Sequence, residues 1–208
     1  MFLRYESLKD YLRLYPVTSA ILFVNLLLFA LMTFTGGSEN TENLIRFGAQ
    51  VTQSPYNELS QAWRYISAMF LHIGFQHLLF NCFALFVFAP PLERILGRLR
   101  YVIIYLGSGL AGNLLTELFA SLLGAATLSA GASGAIFGIY AAYLYIGLFR
   151  KDLLDQQSYK TILIILAVGL IYTLIMPHVN IYAHLGGFIG GFFLFPLLLK
   201  VKKKDLQC

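Results

Sequence analysis

A serine and a histidine set in long apolar runs are the residues of this chain most able to do chemistry. Ser133 lies in SAGASGAIFG, residues 129–138, hemmed in by Gly131, Ala132 and Gly134, and His184 lies in AHLGGFIGG, residues 183–191. A hydroxyl beside an imidazole is an activated nucleophile, because the ring accepts the hydroxyl proton as the oxygen attacks a carbonyl. The oxyanion that forms needs hydrogen-bond donors. The backbone N–H of Ser133 at a helix start can be one of them. The side chains of His77 and Asn81, four residues apart and so on one helical face, can supply others. No intramembrane Asp is available to orient the ring, so these residues support a dyad.

The elements that must position them are membrane-spanning helices. The 208 residues are 58% hydrophobic and 12% charged, with mean hydropathy +0.71, well outside soluble composition. A spanning helix takes ~20 apolar residues. Six runs approach that length, at about 16–35, 76–90, 101–123, 132–149, 159–176 and 181–201. The second is short and should begin a turn earlier or continue to about residue 96.

Lys and Arg are retained on the cytoplasmic side of such bundles. Of the fifteen, thirteen fall before the first run, after the sixth, or in the connections two-to-three and four-to-five; Arg46 and Arg64 lie on the other side. The expectation is one membrane domain over residues 1–208, with six spans and both termini cytoplasmic. A short segment 1–15 precedes the first span and a basic tail, 200–208, follows the last. The +5 net charge is then a topology signal and implies no nucleic acid partner. The first run is longer than a signal-peptide core and has no A-x-A site after it, which marks a retained anchor. Cys82 in a span and Cys208 in the tail make a structural disulfide unexpected.

The longest connection, about 36–75, faces outside. Its GGSENTEN stretch reads as polar loop, and QAWRYISAMFLHIGF (61–75) as an interfacial helix partly embedded in the membrane, with Trp63 and Tyr65 in the headgroup belt. Glu117, late in the third span, should reach back to water.

Spans two, four and six all run inward, so residues near their starts share a depth. His77, Asn81, Ser133 and His184 all lie ~3 to 10 Å below the outer boundary at 1.5 Å per residue. Ala130, Gly134 and Gly138 recur every four residues in span four, and Ala183, Gly187 and Gly191 do so in span six. Small residues at this spacing let helices approach closely. If the two stripes face each other, Ser133 and His184 come within reach. Singly, each feature has a structural explanation: a serine in a spanning helix commonly bonds the carbonyl four residues back, a histidine packs, a glycine stripe only packs. Polar groups are costly in the membrane, and several converging at one depth point to a site.

GASG at 131–134, AHLGGFIGG at 183–191, and His72, His77 and Asn81 as H-x4-H-x3-N resemble the motifs of the rhomboid intramembrane serine proteases. Trp63-Arg64 resembles that family's WR pair, and ERILG at 93–97 its E-x-x-x-G. The likeness is to the minimal six-span form and covers nearly the whole chain. It implies an all-α rhomboid-like bundle, with Ser133 as nucleophile, His184 as general base, and His77 and Asn81 as oxyanion donors. Gly131, Gly134, Phe137, Gly187, Gly191, His72, Arg64, Trp63 and Glu93 would support them. Phe137 stands where the best-known members often have Tyr; its ring can stack on His184 but cannot hydrogen-bond. The resemblance further implies transmembrane protein substrates cut near their outer ends and no metal or cofactor. Span five, TILIILAVGLIYTLIM, is poor in small residues, and with PHVN (177–180) it would form a substrate gate. A short chain without an organellar presequence suits a bacterial inner membrane.

Three rivals have distinct signatures. A metal-dependent hydrolase could use His72, His77 and His184 as ligands, but no acidic residue accompanies them. A catalytically inactive rhomboid-like binder would lack Ser133 or His184, and a transporter would show internal repeats or broken helices. The topology is testable: a reporter active only in the cytoplasm should be active when fused after Cys208 and silent when inserted at Gly124, and activity at both would refute the six-span orientation.

Overall fold

The computed structural model describes residue 2 and residues 4–176 and 179–199. The basic tail 200–208, the end of the sixth apolar run and the first half of PHVN lie outside these residues. Nine helices and one short strand pair are formed among the described residues. In chain order they are α1 Leu8–Leu14, α2 Pro16–Thr35, α3 Thr41–Phe47, β1 Gln50–Val51, α4 Arg64–Ser67 and α5 Phe75–Leu96. There follow α6 Arg98–Leu123, β2 Leu128–Ser129, α7 Ser133–Phe149, α8 Gln156–Ile175 and α9 Ile181–Leu198. Helices α2, α5, α6, α8 and α9 are long and apolar enough to cross a membrane, and α7 is a shorter apolar helix of 17 residues.

Local chemistry fixes the ends. Pro16 occupies the first turn of α2, where its missing N–H costs nothing. The carboxylate of Glu93 caps the same end, accepting from Val17 N (3.0 Å), Thr18 N (2.9 Å) and Thr18 Oγ1 (2.7 Å). Asp155 caps α8 through Ser158 N, and Asn180 caps α9 through Ala183 N. Helix α5 runs beyond the apolar stretch at both ends and passes through Pro90 and Pro91. Pro90 cannot donate to the carbonyl of Phe86. Arg4 Nη2 (2.6 Å) and Tyr11 Oη (3.3 Å) donate to it instead.

Helices α6, α7 and α9 form the centre, with their backbones in contact. A Cβ at Gly187 would collide with the carbonyl oxygen of Gly134, one at Gly191 with that of Gly138, and one at Gly112 with that of Ala183. The two stripes of small residues therefore face each other. Eleven of the seventeen residues of α7 are buried. Of the twenty in α8, only Ser158, Ile162 and Thr173 are.

The outer connection differs from the sequence expectation. GGSENTEN is partly helical: Asn40 caps α3 by accepting from Asn43 N, and Gly48, at φ 101°, ends it in the left-handed region. The expected interfacial helix over 61–75 is broken into α4 flanked by 3₁₀ turns. The carbonyls that would continue it are committed elsewhere, since Tyr65 O accepts from Asn113 Nδ2 (2.7 Å) and Ala68 O from Gly131 N (2.8 Å). The strands pair antiparallel, Gln50 with Ser129 and Val51 with Leu128, and join the two outer connections. Glu117 meets Asn57 (3.3 Å) beneath this loop.

Because α7 and α9 touch through glycine backbone, Gly187→Val should destabilise the protein by ~1–3 kcal/mol or more in detergent unfolding, an overpacking cost with no flexible neighbour to absorb it. Leu118→Ala, on the exposed face of α6, should change stability by about 0.5 kcal/mol or less.

Candidate active site

Ser133 is the first residue of α7, and among the described residues no side chain caps that helix, whose first-turn N–H groups have no partner within the helix. One turn on, the ring of Phe137 lies face to face with His184, with centroids 4.2 Å apart and planes at 15°. His184, in the first turn of α9, is buried. No hydrogen bond joins Ser133 to His184 among the described residues. Unliganded sites commonly hold such pairs loosely.

The other side of the serine is occupied by His77. A Cβ on Gly131 would sit 2.6 Å from His77 Cε1, 2.8 Å from its Nε2 and 3.7 Å from Ser133 Oγ. Only glycine leaves room here, and its φ of 142° also disfavours any side chain. The Gly131 N–H is spent on Ala68 O (2.8 Å). Asn81, buried on the same face of α5 as His77, donates to His77 O (2.8 Å) and retains a second N–H.

The remaining sequence-selected residues lie outside this group. The buried ring of His72 meets that of His77 edge-on at 5.2 Å. Arg64 donates to Ile45 O (2.7 Å), Ala49 O (3.2 Å) and Gln61 Oε1 (2.8 Å), while its guanidinium lies over the rings of Trp63 and Tyr56. It holds the outer loop together. Glu93, on α5, sits at the opposite end of the bundle, against the start of α2. Among the described residues no group of three or more His, Cys, Asp or Glu is arranged to hold a metal ion.

Sequence reasoning missed two residues at this level. Asn180 donates to Thr116 Oγ1 and Ser129 Oγ, both at 3.0 Å, and ties α9 to α6 and β2. Thr173 on α8 lies 2.7 Å from His184 Nδ1. The depth argument could have found it, since Thr173 stands two residues from the end of α8, just before the connection to α9.

A bundle of apolar helices with a serine at the start of one, a histidine in the first turn of another and glycine contacts between them defines a polytopic membrane protein. The Rhomboid domain family matches residues 59–201, and the chain belongs to the rhomboid family. It is 38% identical over 208 residues to "Putative rhomboid protease YdcA" of Bacillus subtilis (strain 168), covering 99% of this chain and 98% of that protein. Rhomboid protease GluP of the same organism is 35% identical over 176 residues, which are 85% of this chain and 33% of GluP. RHOMBOID-like protein 2 of Arabidopsis thaliana is 39% identical over 143 residues, 67% of this chain and 44% of that protein.

Burial drives the His72 imidazole down to about 3, helped by the neighbouring His77. The unfolded chain takes up a proton near pH 6.5 that the native state refuses until about pH 3, so stability should decline as pH falls through that window. His72→Leu should remove up to about 1.4 kcal/mol per pH unit of that slope, read from unfolding midpoints between pH 7 and 4; an unchanged slope would contradict the assignment.

Proposed function

We propose that this protein is an intramembrane serine endopeptidase that hydrolyses peptide bonds in or near transmembrane segments, with Ser133 as nucleophile and His184 as general base. Membership of the rhomboid family supports an intramembrane protease. The observation that carries the finer assignment is the α7–α9 backbone contact, which sets Phe137, one turn from Ser133, flat against the His184 ring.

In the reaction, His184 Nε2 takes the proton from Ser133 Oγ as Oγ attacks the carbonyl carbon of the scissile bond. The negative oxygen is held by the Ser133 N–H, His77 Nε2–H and the free N–H of Asn81. Breakdown of this intermediate cleaves the C–N bond, and His184 returns the proton to the leaving amine. Water then hydrolyses the acyl-serine, with His184 again accepting a proton. Glycines around the serine suit small substrate residues at the cleavage point. No cofactor takes part in these steps.

We further read residues 1–208 as one membrane domain in a bacterial inner membrane, with cytoplasmic termini and a site that opens outward to water. The sparsely buried α8 and residues 177–180 act as the substrate gate. Substrates are transmembrane proteins.

Ser133→Ala and His184→Ala should each lower cleavage of a single-pass substrate in liposomes at least about 10³-fold, while a chelator leaves it unchanged. Cleavage that survives Ser133→Ala would refute the serine mechanism. A crosslink between α8 and α5 should stop cleavage of membrane substrates, and undiminished cleavage would refute the gate.

A further inference from the structure

One buried polar side chain beside the site has no part in the dyad. Thr173 is the last buried residue of α8, and its Oγ1 lies 2.6 Å from Gly169 O and 2.7 Å from His184 Nδ1. A hydroxyl carries one hydrogen and can accept through its lone pairs, whereas a carbonyl oxygen only accepts. If the hydroxyl donates to Gly169 O, it accepts from Nδ1–H, and its oxygen makes both hydrogen bonds at once. If it donates to Nδ1 instead, the contact with Gly169 is lost as a bond. Two bonds against one favour the proton on Nδ1.

The surroundings sharpen that preference. Thr173 and His184 share the wall of a cavity of about 390 Å³ between α7, α8 and α9, otherwise lined by apolar residues such as Phe137, Leu166, Leu170, Leu185 and Phe188. Among the described residues Nδ1 finds no other side chain to bond on that wall, and a buried N–H left unpaired is costly. Phe137 fixes the plane of the ring by stacking and leaves its rotation within that plane free. The Thr173 bond removes this freedom.

We infer that Thr173 is a positioning residue that holds His184 as the Nδ1–H tautomer with the Nε2 lone pair free for Ser133. The inference rests on the reading of His184 as general base. A neutral hydroxyl here does the orienting that a carboxylate does in serine triads, without placing a charge in the membrane. It also puts the third member of the site on α8, a different helix from those that carry the nucleophile and the base.

The test uses the full chain as wild type, Thr173→Val and Thr173→Ser, with Ser133→Ala as control. In ¹⁵N-histidine spectra of protein in bicelles, His184 should be protonated at Nδ1 and bare at Nε2 in wild type and Thr173→Ser, and a mixture of tautomers in Thr173→Val. On a single-pass substrate in liposomes, Thr173→Val should lower kcat about tenfold or more, with KM within about twofold, and Thr173→Ser should recover most of the rate. Wild-type kcat and tautomer in Thr173→Val would overturn the inference, as would a Thr173→Ser variant no better than Thr173→Val. An Nε2–H tautomer in the wild type overturns it whether or not the variants fold. Cleavage that persists in Ser133→Ala marks failure of the dyad itself, a separate result, since the tautomer spectrum is read without turnover.

Discussion

Everything at the candidate site depends on two helices that touch through their backbones. Where Gly134 meets Gly187 and Gly138 meets Gly191, carbonyl oxygens stand where side chains would otherwise begin. In hydrocarbon no hydrophobic force drives helices together, so association relies on dispersion at short range and on shape. Glycine-to-glycine contact gives the shortest range available. It also fixes relative position through atoms that have no rotamers, so the backbones of Ser133, beside Gly134, and of His184, beside Ala183, are set by main-chain contact.

The polar groups around that contact answer a second constraint. Each buried donor and acceptor needs a partner, since lipid supplies none. Asn180 links α9 to α6 and β2, Asn113 reaches the outer loop, and Arg64 gathers the carbonyls of Ile45 and Ala49. The outer connection is thereby knit to the ends of the central helices rather than laid over them. Glu93 does comparable work at the other end by receiving three donors from the start of α2.

The spans were legible because hydropathy over some twenty residues leaves little freedom, and α2 runs over the same residues, 16–35, as the first apolar run. The close approach of α7 and α9 was legible because two stripes of small side chains recur every four residues, beside Ser133 in one and His184 in the other. The outer connection was not. A helix of seven residues is decided by its caps, here Asn40 and Gly48, and the segment after it by partners far away in sequence, Asn113 and Gly131. Thr173 stayed hidden for a different reason. A threonine in an apolar helix ordinarily bonds the carbonyl four residues back, as Thr173 does to Gly169, and nothing local reveals that its oxygen also meets a histidine on another helix.

Pro90 leaves the Phe86 carbonyl without its helical donor in the half of α5 remote from His77. Arg4 and Tyr11 come to it from ahead of the first span. Water would ordinarily solvate such a break, and hydrocarbon cannot. The short segment before α2 is thus a fragment of solvent built from side chains, carried by the protein to a helix carbonyl that lipid would leave dry.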